Sequence, residues 1–499
     1  MKGKVYLIGA GPGDPGLITL KGSMYLKEAD VVVYDRLASP KLLEELKEGC
    51  RLIYVGKASS NHTKTQDEIN EIIFQEANKG RIVARLKGGD PYVFGRGGEE
   101  AEYLYDRGID FEVVPGVTSP IAGLAYAGIP ITHRGIATSF HVITGHLKDE
   151  KDELDWQSLG ALKGTLVFLM GVSNLKEIRE NLLKHGKDRE TPAAIVNWGT
   201  TPMQQVIEGN LSNIYEKALE ENIKPPSLIV IGDVVNLRKK LNFYERKPLL
   251  GKNIVVTREK THAIDTIKRI EELGGNVISF PTIKIEEIRP NEELNEAIKN
   301  IKRYSYLVFT SVNGVDIFFK RFFDIGEDIR NMAGIKVGAV GDKTANAIRK
   351  YGINVDFIPE EFVGESLVDK LKKVLTKDDR VLITRSKIGR RELVEELSKI
   401  SLVHEIKIYD TIKSEESKEE IINSIKDLDS YYLLFTSSST FTNFIEILGD
   451  NRWVLDKGQI ISIGPITTKT IEERGFTVYK QAETYTVDGI LELLMKEKR

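Results

Sequence analysis

Short apolar runs alternate with longer amphipathic stretches along the whole chain. In the first half these runs are VYLIG, DVVVYD, RIVARLKG, FEVVPG, HVITGH, TLVFLMG, AAIVNWG and LIVIGDVV. Runs of this kind predict buried strands, and their alternation with helical stretches is typical of parallel α/β architecture. The pattern therefore predicts an α/β fold built on parallel sheets.

A basic, proline-containing stretch interrupts this pattern near the middle of the chain. NLRKKLNFYERKPLLGK follows the last of these runs and precedes a new strand, NIVVTR, at 253–258. Because 499 residues are too many for one hydrophobic core, we expect two to four domains. We place the main boundary near 243–250, which gives domains of about 1–245 and 250–499.

The second half contains a diverged internal repeat. Three segments recur in the same order: VVTREKTHAIDTIKRIEELGG (255–275) with LITRSKIGRRELVEELSK (382–399), LVFTSVNGVDIFF (307–319) with LLFTSSSTFTNFI (433–445), and VGAVGDKTANAIRKYGINV (337–355) with ISIGPITTKTIEERGFTV (460–478). A period this long indicates two similar α/β domains and excludes a solenoid of short repeats.

Composition and charge narrow the class of protein. Lys and Arg number 71 against 74 Asp and Glu, so the formal charge of −3 argues against a general nucleic-acid binder. One cysteine, Cys50, excludes an intrachain disulfide and a cysteine-rich metal site. The apolar runs are too short to span a bilayer, and the start has no signal-peptide pattern. We expect a cytoplasmic enzyme without a membrane or nucleic-acid partner and without a metal.

The first turn, GAGPGDPG at 9–16, raises the possibility of a dinucleotide site. Gly11–Gly16 fits G-x-G-x-x-G, and Asp35 ends the next strand where such sites keep a ribose-binding acid. However, Pro12 and Pro15 have no N–H, Asp14 adds a negative charge, and the helix is predicted to begin only near Thr19. The turn is a poor phosphate cradle. Further glycine-rich turns after strands favour a small-molecule crevice built from all of them.

An ordered set of motifs links the first half to a known family. GAGPGDPG, YDRL, VGK, RLKGGDPYVFGRGGEE, VVPGVTS, AGIPITHRG, TLVFLMG and NWGT occur in the order of uroporphyrinogen-III C-methyltransferase. Residues 2–245 thus resemble the tetrapyrrole methylases. The resemblance implies two α/β lobes with S-adenosylmethionine in the cleft between them, and a homodimer formed through this half.

The same resemblance assigns site residues. The implied donor contacts are Pro12, Gly88, Gly89, Asp90, Val93, Thr118, Ser119, Met170 and Gly199. It implies Asp35 as proton acceptor and Lys57 as proton donor, although a strand-end ion pair is the structural alternative. It also implies that Arg36, Arg96, Glu99 and Arg134 bind the substrate or remove a proton. Guanidinium groups suit a polycarboxylate, but each arginine could also be a solvated surface charge.

Thr and Ser residues recur at predicted strand ends in the second half. The candidate substrate-binding residues are Thr310, Ser311, Thr436, Ser437 and Thr467. Hydroxyls and helix N-termini that face one crevice can bind carboxylates. Helix N-capping is the alternative for any one of these residues.

The second half resembles uroporphyrinogen-III synthase over its full length. The motifs are V-T-R, F-T-S-x-N-G-V, V-G-x-x-T, I-x-x-Y-x-T at 406–411 and F-T-S-S-S. The resemblance implies two flavodoxin-like lobes, about 250–284 plus 413–499 and 285–412, joined by a two-stranded connector. It also implies that Tyr409 assists departure of a hydroxyl group and that no cofactor is needed. The adjacent Asp410 has no counterpart in the motif.

Together the resemblances predict a bifunctional enzyme of tetrapyrrole biosynthesis. The second half would cyclise hydroxymethylbilane to uroporphyrinogen III with inversion of the last ring. The first half would then methylate this product at C2 and C7 with S-adenosylmethionine, giving precorrin-2 on the route to sirohaem or cobalamin. Two alternatives stay open: a methylase whose second half is an inactive scaffold, and a tetrapyrrole-sensing binding protein.

Overall fold

The structure is a computed structural model that describes residues 2–56, 64–145, 154–359, 364–388, 391–414 and 418–497. The chain divides into two compact units. The first comprises Met1–Lys252, Arg269–Asn276 and Met495–Arg499, and the second comprises Asn253–Lys268 and Val277–Leu494. Within the described ranges, no helix is long and apolar enough to cross a membrane.

The first unit begins with a five-stranded parallel sheet. Its strands are β1 (Lys4–Gly9), β2 (Val31–Tyr34), β3 (Arg51–Tyr54), β4 (Ile82–Lys87) and β5 (Asp110–Val114), and its helices are α1 (Leu20–Glu28), α2 (Gln66–Asn78) and α3 (Gly97–Asp106). The order β3-β2-β4-β1-β5 places β1 beside β4, where the connections reverse direction. In open α/β sheets the ligand crevice forms at this point, outside the carboxyl ends of the strands.

Capping side chains explain where the first helices begin. Thr19 Oγ1 accepts a hydrogen bond from Gly22 N at 3.1 Å, so α1 starts after Thr19 and not at GPGDPG. This start confirms the prediction from sequence. Thr65 and Glu68 form a reciprocal capping box at the start of α2.

The second sheet of this unit is mixed. Its strands are β6 (Phe140–Thr144), β7 (Thr165–Leu169), β8 (Pro192–Asn197), β9 (Gln205–Asn210) and β10 (Ser227–Ile231), in the order β6-β7-β10-β8-β9. Strand β10 is antiparallel to β7 and β8, and β9 is antiparallel to β8. The prediction of a parallel sheet is therefore wrong here, because a short turn after β8 returns the chain as a hairpin.

Among the described residues, five helices accompany this mixed sheet. They are α4 (Ser119–Tyr126), α5 (Trp156–Ala161), α6 (Leu175–Lys184), α7 (Ile214–Glu220) and α8 (Arg238–Leu241). Although α4 follows β5 in the chain, its Leu124 packs in the core of the second sheet with Val167 and Val196. Helix α4 thus carries the chain from the first sheet of this unit to the second.

The second unit is built on two further sheets, although some of their elements begin or end in Arg269–Asn276 and Met495–Arg499, which belong to the first unit. Strands β11 (Asn253–Val256), β12 (Asn276–Ser279), β18 (Tyr432–Phe435), β19 (Gln459–Ser462) and β20 (Lys480–Gln481) form one, and β13 (Ile283–Glu287), β14 (Tyr306–Phe309), β15 (Lys336–Ala339), β16 (Arg380–Ser386) and β17 (Leu402–Lys413) form the other. The helices are α9 (Lys260–Glu272), α10 (Glu292–Lys299), α11 (Val312–Asp324), α12 (Asp342–Arg349), α13 (Gly364–Lys372), α14 (Glu392–Ser398), α15 (Lys418–Lys426), α16 (Ser438–Leu448), α17 (Trp453–Lys457), α18 (Pro465–Glu473) and α19 (Val487–Lys496).

The internal repeat is visible in the two strand orders. The order β12-β11-β18-β19 in one sheet corresponds to β17-β16-β14-β15 in the other. Each repeated segment therefore forms a strand at the same place in both sheets, which confirms two similar α/β lobes. If its strands are numbered in chain order, the sheet β12-β11-β18-β19-β20 has the order 2-1-3-4-5 that is typical of flavodoxin-like folds. Strand β13 pairs antiparallel with β17 at the edge of the other sheet.

Candidate active sites

Three turns of the first sheet meet where β1 and β4 lie side by side. Gly89 N donates to Gly11 O at 2.8 Å, and Gly11 N donates to Gly89 O at 3.3 Å. A Cβ atom on Gly116, after β5, would lie 2.2 Å from Gly89 O. Only glycine permits so close an approach. The predicted donor residues Pro12, Gly88–Asp90 and Thr118–Ser119 therefore lie on neighbouring turns.

Loops from the second sheet complete this crevice. A Cβ atom on Gly13 would lie 2.6 Å from Thr201 Cγ2, so the first turn touches the loop after β8 that contains Gly199. Met170 follows β7, which ends at the same edge as β8 because β10 is antiparallel to both. The structure thus places Met170 and Gly199 at one edge of the mixed sheet.

Left-handed backbone conformations concentrate in these loops. Six described non-glycine residues have φ between 47° and 72°, and five of them follow β4, β7 or β8: Phe94, Arg96, Met170, Trp198 and Thr200. Each such conformation costs roughly 1–3 kcal/mol and persists where the surroundings enforce it, commonly at ligand sites. The strain therefore makes these loops a candidate ligand site.

The crevice fits the S-adenosylmethionine predicted from sequence. Asp90 organises it: Oδ2 accepts from Gly116 N at 3.0 Å and Oδ1 from Tyr92 N at 2.8 Å, which leaves each oxygen a further lone pair. A Cβ atom on Gly89 would meet nothing closer than 3.9 Å, so there is open space beside that turn. Val93 and Met170 are exposed there. Backbone groups, one carboxylate and apolar side chains are what a nucleoside with a charged sulfur requires.

Asp35 lies directly after β2. Its Oδ1 accepts from Leu37 N at 3.1 Å, and its Oδ2 is 3.3 Å from Arg85 Nη2. The side chain remains 26% exposed. The carboxylate is therefore oriented by two contacts and still accessible to a ligand. Lys57, its predicted partner, lies outside the described residues.

A buried cluster of charged side chains contacts Asp35 through Arg85. Arg85 and Lys87 are two residues apart on β4, so their side chains lie on the same face of the sheet. Glu100 Oε1 accepts from Lys87 Nζ at 2.8 Å, Arg85 Nε at 3.2 Å and Gln66 Nε2 at 3.2 Å. Burial, aided by the neighbouring Arg85 charge, lowers the pKa of Lys87 despite the attraction of Glu100. This cluster was not predicted, although Arg85 and Lys87, two cations within the apolar strand of RIVARLKG, were a signal.

The predicted substrate-binding side chains of this half are exposed. Arg96 and Glu99 form a bidentate pair, with Nε–Oε1 at 2.8 Å and Nη2–Oε2 at 2.6 Å. This hydrogen bonding raises the pKa of Arg96. Arg36 and Arg134 are exposed in loops. Each of these arginines can reach solvent, as recognition of a soluble polycarboxylate requires.

In the second unit, Tyr409 lies at the end of a parallel strand array. Its side chain is only 6% exposed, and its hydroxyl is 2.9 Å from Ser311 Oγ. Ser311 also caps α11 by accepting from Gly314 N at 3.0 Å, and the preceding Thr310 Oγ1 donates to Thr384 O at 3.3 Å. The geometry therefore fixes the position of the Tyr409 hydroxyl.

The equivalent residues of the other lobe serve partly as caps. Ser437 Oγ accepts from Thr440 N at 3.2 Å at the start of α16, as Ser311 does in α11. Thr436 precedes Ser437, and Thr467 is buried within α18. Asp410, which had no interpretation from sequence, pairs with Lys387 Nζ at 3.0 Å. Ser311 and Ser437 thus have a structural role whatever else they bind.

Comparisons with known proteins find a different family in each half of the chain. The model of the tetrapyrrole (corrin/porphyrin) methylases matches residues 4–215, and that of uroporphyrinogen-III synthase HemD matches 265–492. The porphyrin biosynthesis protein HemD of Ruminiclostridium josui is 38% identical over 496 residues, which are 99% of this chain and 98% of that protein. Uroporphyrinogen-III C-methyltransferase of Priestia megaterium is 53% identical, covering 47% of this chain and 99% of that protein.

A solved structure, the Thermus thermophilus uroporphyrin-III C-methyl transferase complexed with S-adenyl homocysteine, is 42% identical. It covers 47% of this chain and 100% of that chain, with a TM-score of 0.41. From the fold and the sequence relatives, the protein is a two-part α/β enzyme of tetrapyrrole biosynthesis. The chain belongs to the tetrapyrrole methylase family in its N-terminal half and to the HemD uroporphyrinogen-III synthase family in its C-terminal half. Both resemblances seen in the sequence are confirmed.

Proposed function

We propose that this protein catalyses two successive reactions. Residues 250–499 would cyclise hydroxymethylbilane to uroporphyrinogen III, and residues 1–245 would methylate that product at C2 and C7 to give precorrin-2. The observation that carries the proposal is the succession of the two families along one chain, which a relative shares over 98% of its length. The product of the second half is the substrate of the first, so fusion coordinates their output.

In the methylating half, S-adenosylmethionine supplies an electrophilic methyl group when bound. The proposed role of Asp90 and the Gly88–Gly89 turn is to hold this donor, with Val93 and Met170 as apolar walls. Asp35 would accept the proton that the macrocycle loses after its carbon has attacked. The Arg85 guanidinium, 3.3 Å from Asp35 Oδ2, would hold this carboxylate in place.

In the cyclising half, the proposed acid is Tyr409. The carbon–oxygen bond of the hydroxymethyl group breaks, the hydroxyl leaves as water with a proton from Tyr409, and an azafulvene cation remains. Ring closure through a spiro intermediate then inverts the last ring, and the proton that the attacking pyrrole carbon loses would return to the Tyr409 oxygen. Ser311 would orient the tyrosine hydroxyl through their 2.9 Å contact. We propose that this half needs no cofactor, because its acid and its hydroxyl groups come from the chain.

The direct test supplies the purified chain with hydroxymethylbilane anaerobically, with and without S-adenosylmethionine. We expect uroporphyrinogen III without the donor and precorrin-2 with it, identified by chromatography and mass spectrometry. Only the uninverted type I ring, which forms without enzyme, would contradict the synthase assignment. Supplied uroporphyrinogen III then tests the methylase independently, which separates a bifunctional enzyme from a methylase with an inactive second half.

Replacing Tyr409 by Phe is expected to lower the rate of cyclisation by about tenfold, the value of one well-placed hydrogen bond. The effect is moderate because the pyrrole nitrogen itself helps to expel the hydroxyl. Methylation of supplied uroporphyrinogen III should be unchanged. Tyr432→Phe is a matched control, since it removes a tyrosine hydroxyl from β18 in the other lobe. A Tyr409→Phe rate equal to that of wild type would exclude Tyr409 as the acid.

We also propose a homodimer formed through the N-terminal half. Leu20 and Met24 lie one turn apart on α1, so they share a face, and they are 93% and 48% exposed. Light scattering of the chain and of a Leu20→Glu variant would test this assembly. A cytoplasmic location is part of the same proposal and rests on the sequence alone.

A further inference from the structure

Asp14, the acidic residue of GPGDPG, joins the two sheets of the first unit. Its Oδ2 accepts from the Tyr126 hydroxyl at 2.7 Å, and its Oδ1 accepts from Gly16 N at 2.8 Å. Its backbone N–H donates to Thr200 Oγ1 at 3.1 Å. Tyr126 ends α4 and Thr200 follows β8, so both belong to the second sheet. One residue of the first turn thus binds two elements of the opposite lobe.

The backbone of Thr200 is fixed by hydrogen bonds to other residues of the second sheet and its loops. Its N–H donates to Gln204 Oε1 at 2.9 Å, and its carbonyl oxygen accepts from the Tyr244 hydroxyl at 3.2 Å. Gln204 Nε2 donates to Glu245 Oε1 at 3.1 Å, and Arg238 Nη2 donates to Glu245 Oε2 at 2.6 Å. The loop after β8 therefore rests on a buried network and presents Thr200 to Asp14 at a fixed place.

Tyr126 is also fixed by its surroundings. Its ring packs against Tyr244, with centroids 4.8 Å apart, and against Phe243, with centroids 5.7 Å apart. Burial and the Asp14 carboxylate raise the pKa of Tyr126, so its hydroxyl keeps its proton and donates to Asp14. A hydrogen bond to an ionised acceptor is about twice as strong as a neutral one.

We propose that Asp14 and Tyr126 are positioning residues for the methyl donor. By tying the GPGDPG turn to the loop after β8, they set the separation between Pro12 and Gly199, two of the predicted donor contacts. Gly13 and Thr201 already approach so closely that the two turns cannot move nearer to each other. This inference rests on the proposed methylase function and adds two residues that the family resemblance did not assign.

The test compares donor binding in variants of the full chain. Tyr126→Phe removes one hydroxyl and keeps the ring, so the Kd for S-adenosylhomocysteine, measured by calorimetry, is expected to rise about tenfold, as loss of a charge-assisted hydrogen bond implies. The KM for S-adenosylmethionine should rise equally, with kcat within about twofold of wild type. Asp14→Ala should match Tyr126→Phe, and Asp14→Asn, which keeps one acceptor oxygen but not the charge, should restore binding in part. The double variant Asp14→Ala/Tyr126→Phe should bind no more weakly than either single variant.

Tyr215→Phe, on α7 of the same sheet, is the matched control and should leave the Kd unchanged. Unchanged donor binding by both Tyr126→Phe and Asp14→Ala, even with a lowered Tm, would overturn the positioning role and leave the proposed function intact. A wild-type chain that binds no S-adenosylhomocysteine would overturn the methylase proposal and this inference with it. If Tyr126→Phe fails to fold, Asp14→Ala decides, because it removes the same hydrogen bond by truncating a partly exposed turn residue and leaves the aromatic packing around Tyr126 in place.

Discussion

Asp35→Asn is expected to reduce methyl transfer to uroporphyrinogen III by about 10²–10⁴-fold, the usual contribution of a general base. The amide has the same shape and can still accept from Leu37 N, so the turn after β2 should persist. What it lacks is the basicity to take a proton from the macrocycle. Formation of S-adenosylhomocysteine from supplied uroporphyrinogen III, followed anaerobically, measures the loss.

Two further measurements assign that loss to the chemical step. Calorimetry should give an unchanged Kd for S-adenosylhomocysteine, and cyclisation of hydroxymethylbilane should proceed at the wild-type rate. Asp106→Asn, which makes the same change at the exposed end of α3, should leave methylation unaffected. If Asp35→Asn retained most of the wild-type methylation rate, another group would have to accept the proton. Asp35 would then have only a structural role, as one partner of a strand-end ion pair.

Strand positions could be predicted because they depend on local composition. Each apolar run in the first half became a strand, and the Thr19 cap placed the start of α1 correctly. Strand direction could not be predicted in the same way. β9 contains Gly209 and Asn210, so its apolar pattern is weak, and without it the hairpin that makes the second sheet mixed was not apparent.

The same distinction between local and long-range features applies to the residues around each candidate site. Motif residues such as Asp35, Asp90 and Tyr409 were identified from the resemblance, and their roles remain predictions. Side chains that act through partners distant in the chain were missed: Tyr126 lies 112 residues from Asp14, and their bond depends on how two sheets pack. Sequence spacing contains no signal for such a contact.

Glu100→Gln is expected to destabilise the N-terminal half by about 3–5 kcal/mol, because it leaves buried cations without their shared counter-ion. Arg85 and Lys87 are both buried, and Glu100, which is 0% exposed, is the carboxylate that accepts from both. Because Gln has the same shape as Glu, the loss of stability measures the effect of removing the charge and not a change in packing. Of the three tryptophans, Trp156 and Trp198 lie in this half, so urea unfolding followed by fluorescence in a Trp453→Phe background measures its stability.

Glu102→Ala gives the control, since this exposed residue of the same helix should change the free energy of unfolding by no more than about 0.5 kcal/mol. A Glu100→Gln loss below about 1 kcal/mol would mean that the site behaves as a solvated ion pair. A large loss would show that Arg85 and Lys87 depend on Glu100 for their counter-charge. Arg85 contacts both Glu100 and Asp35, so the same guanidinium links the buried cluster to the proposed base, and loss of Glu100 is expected to disturb the position of Asp35 as well.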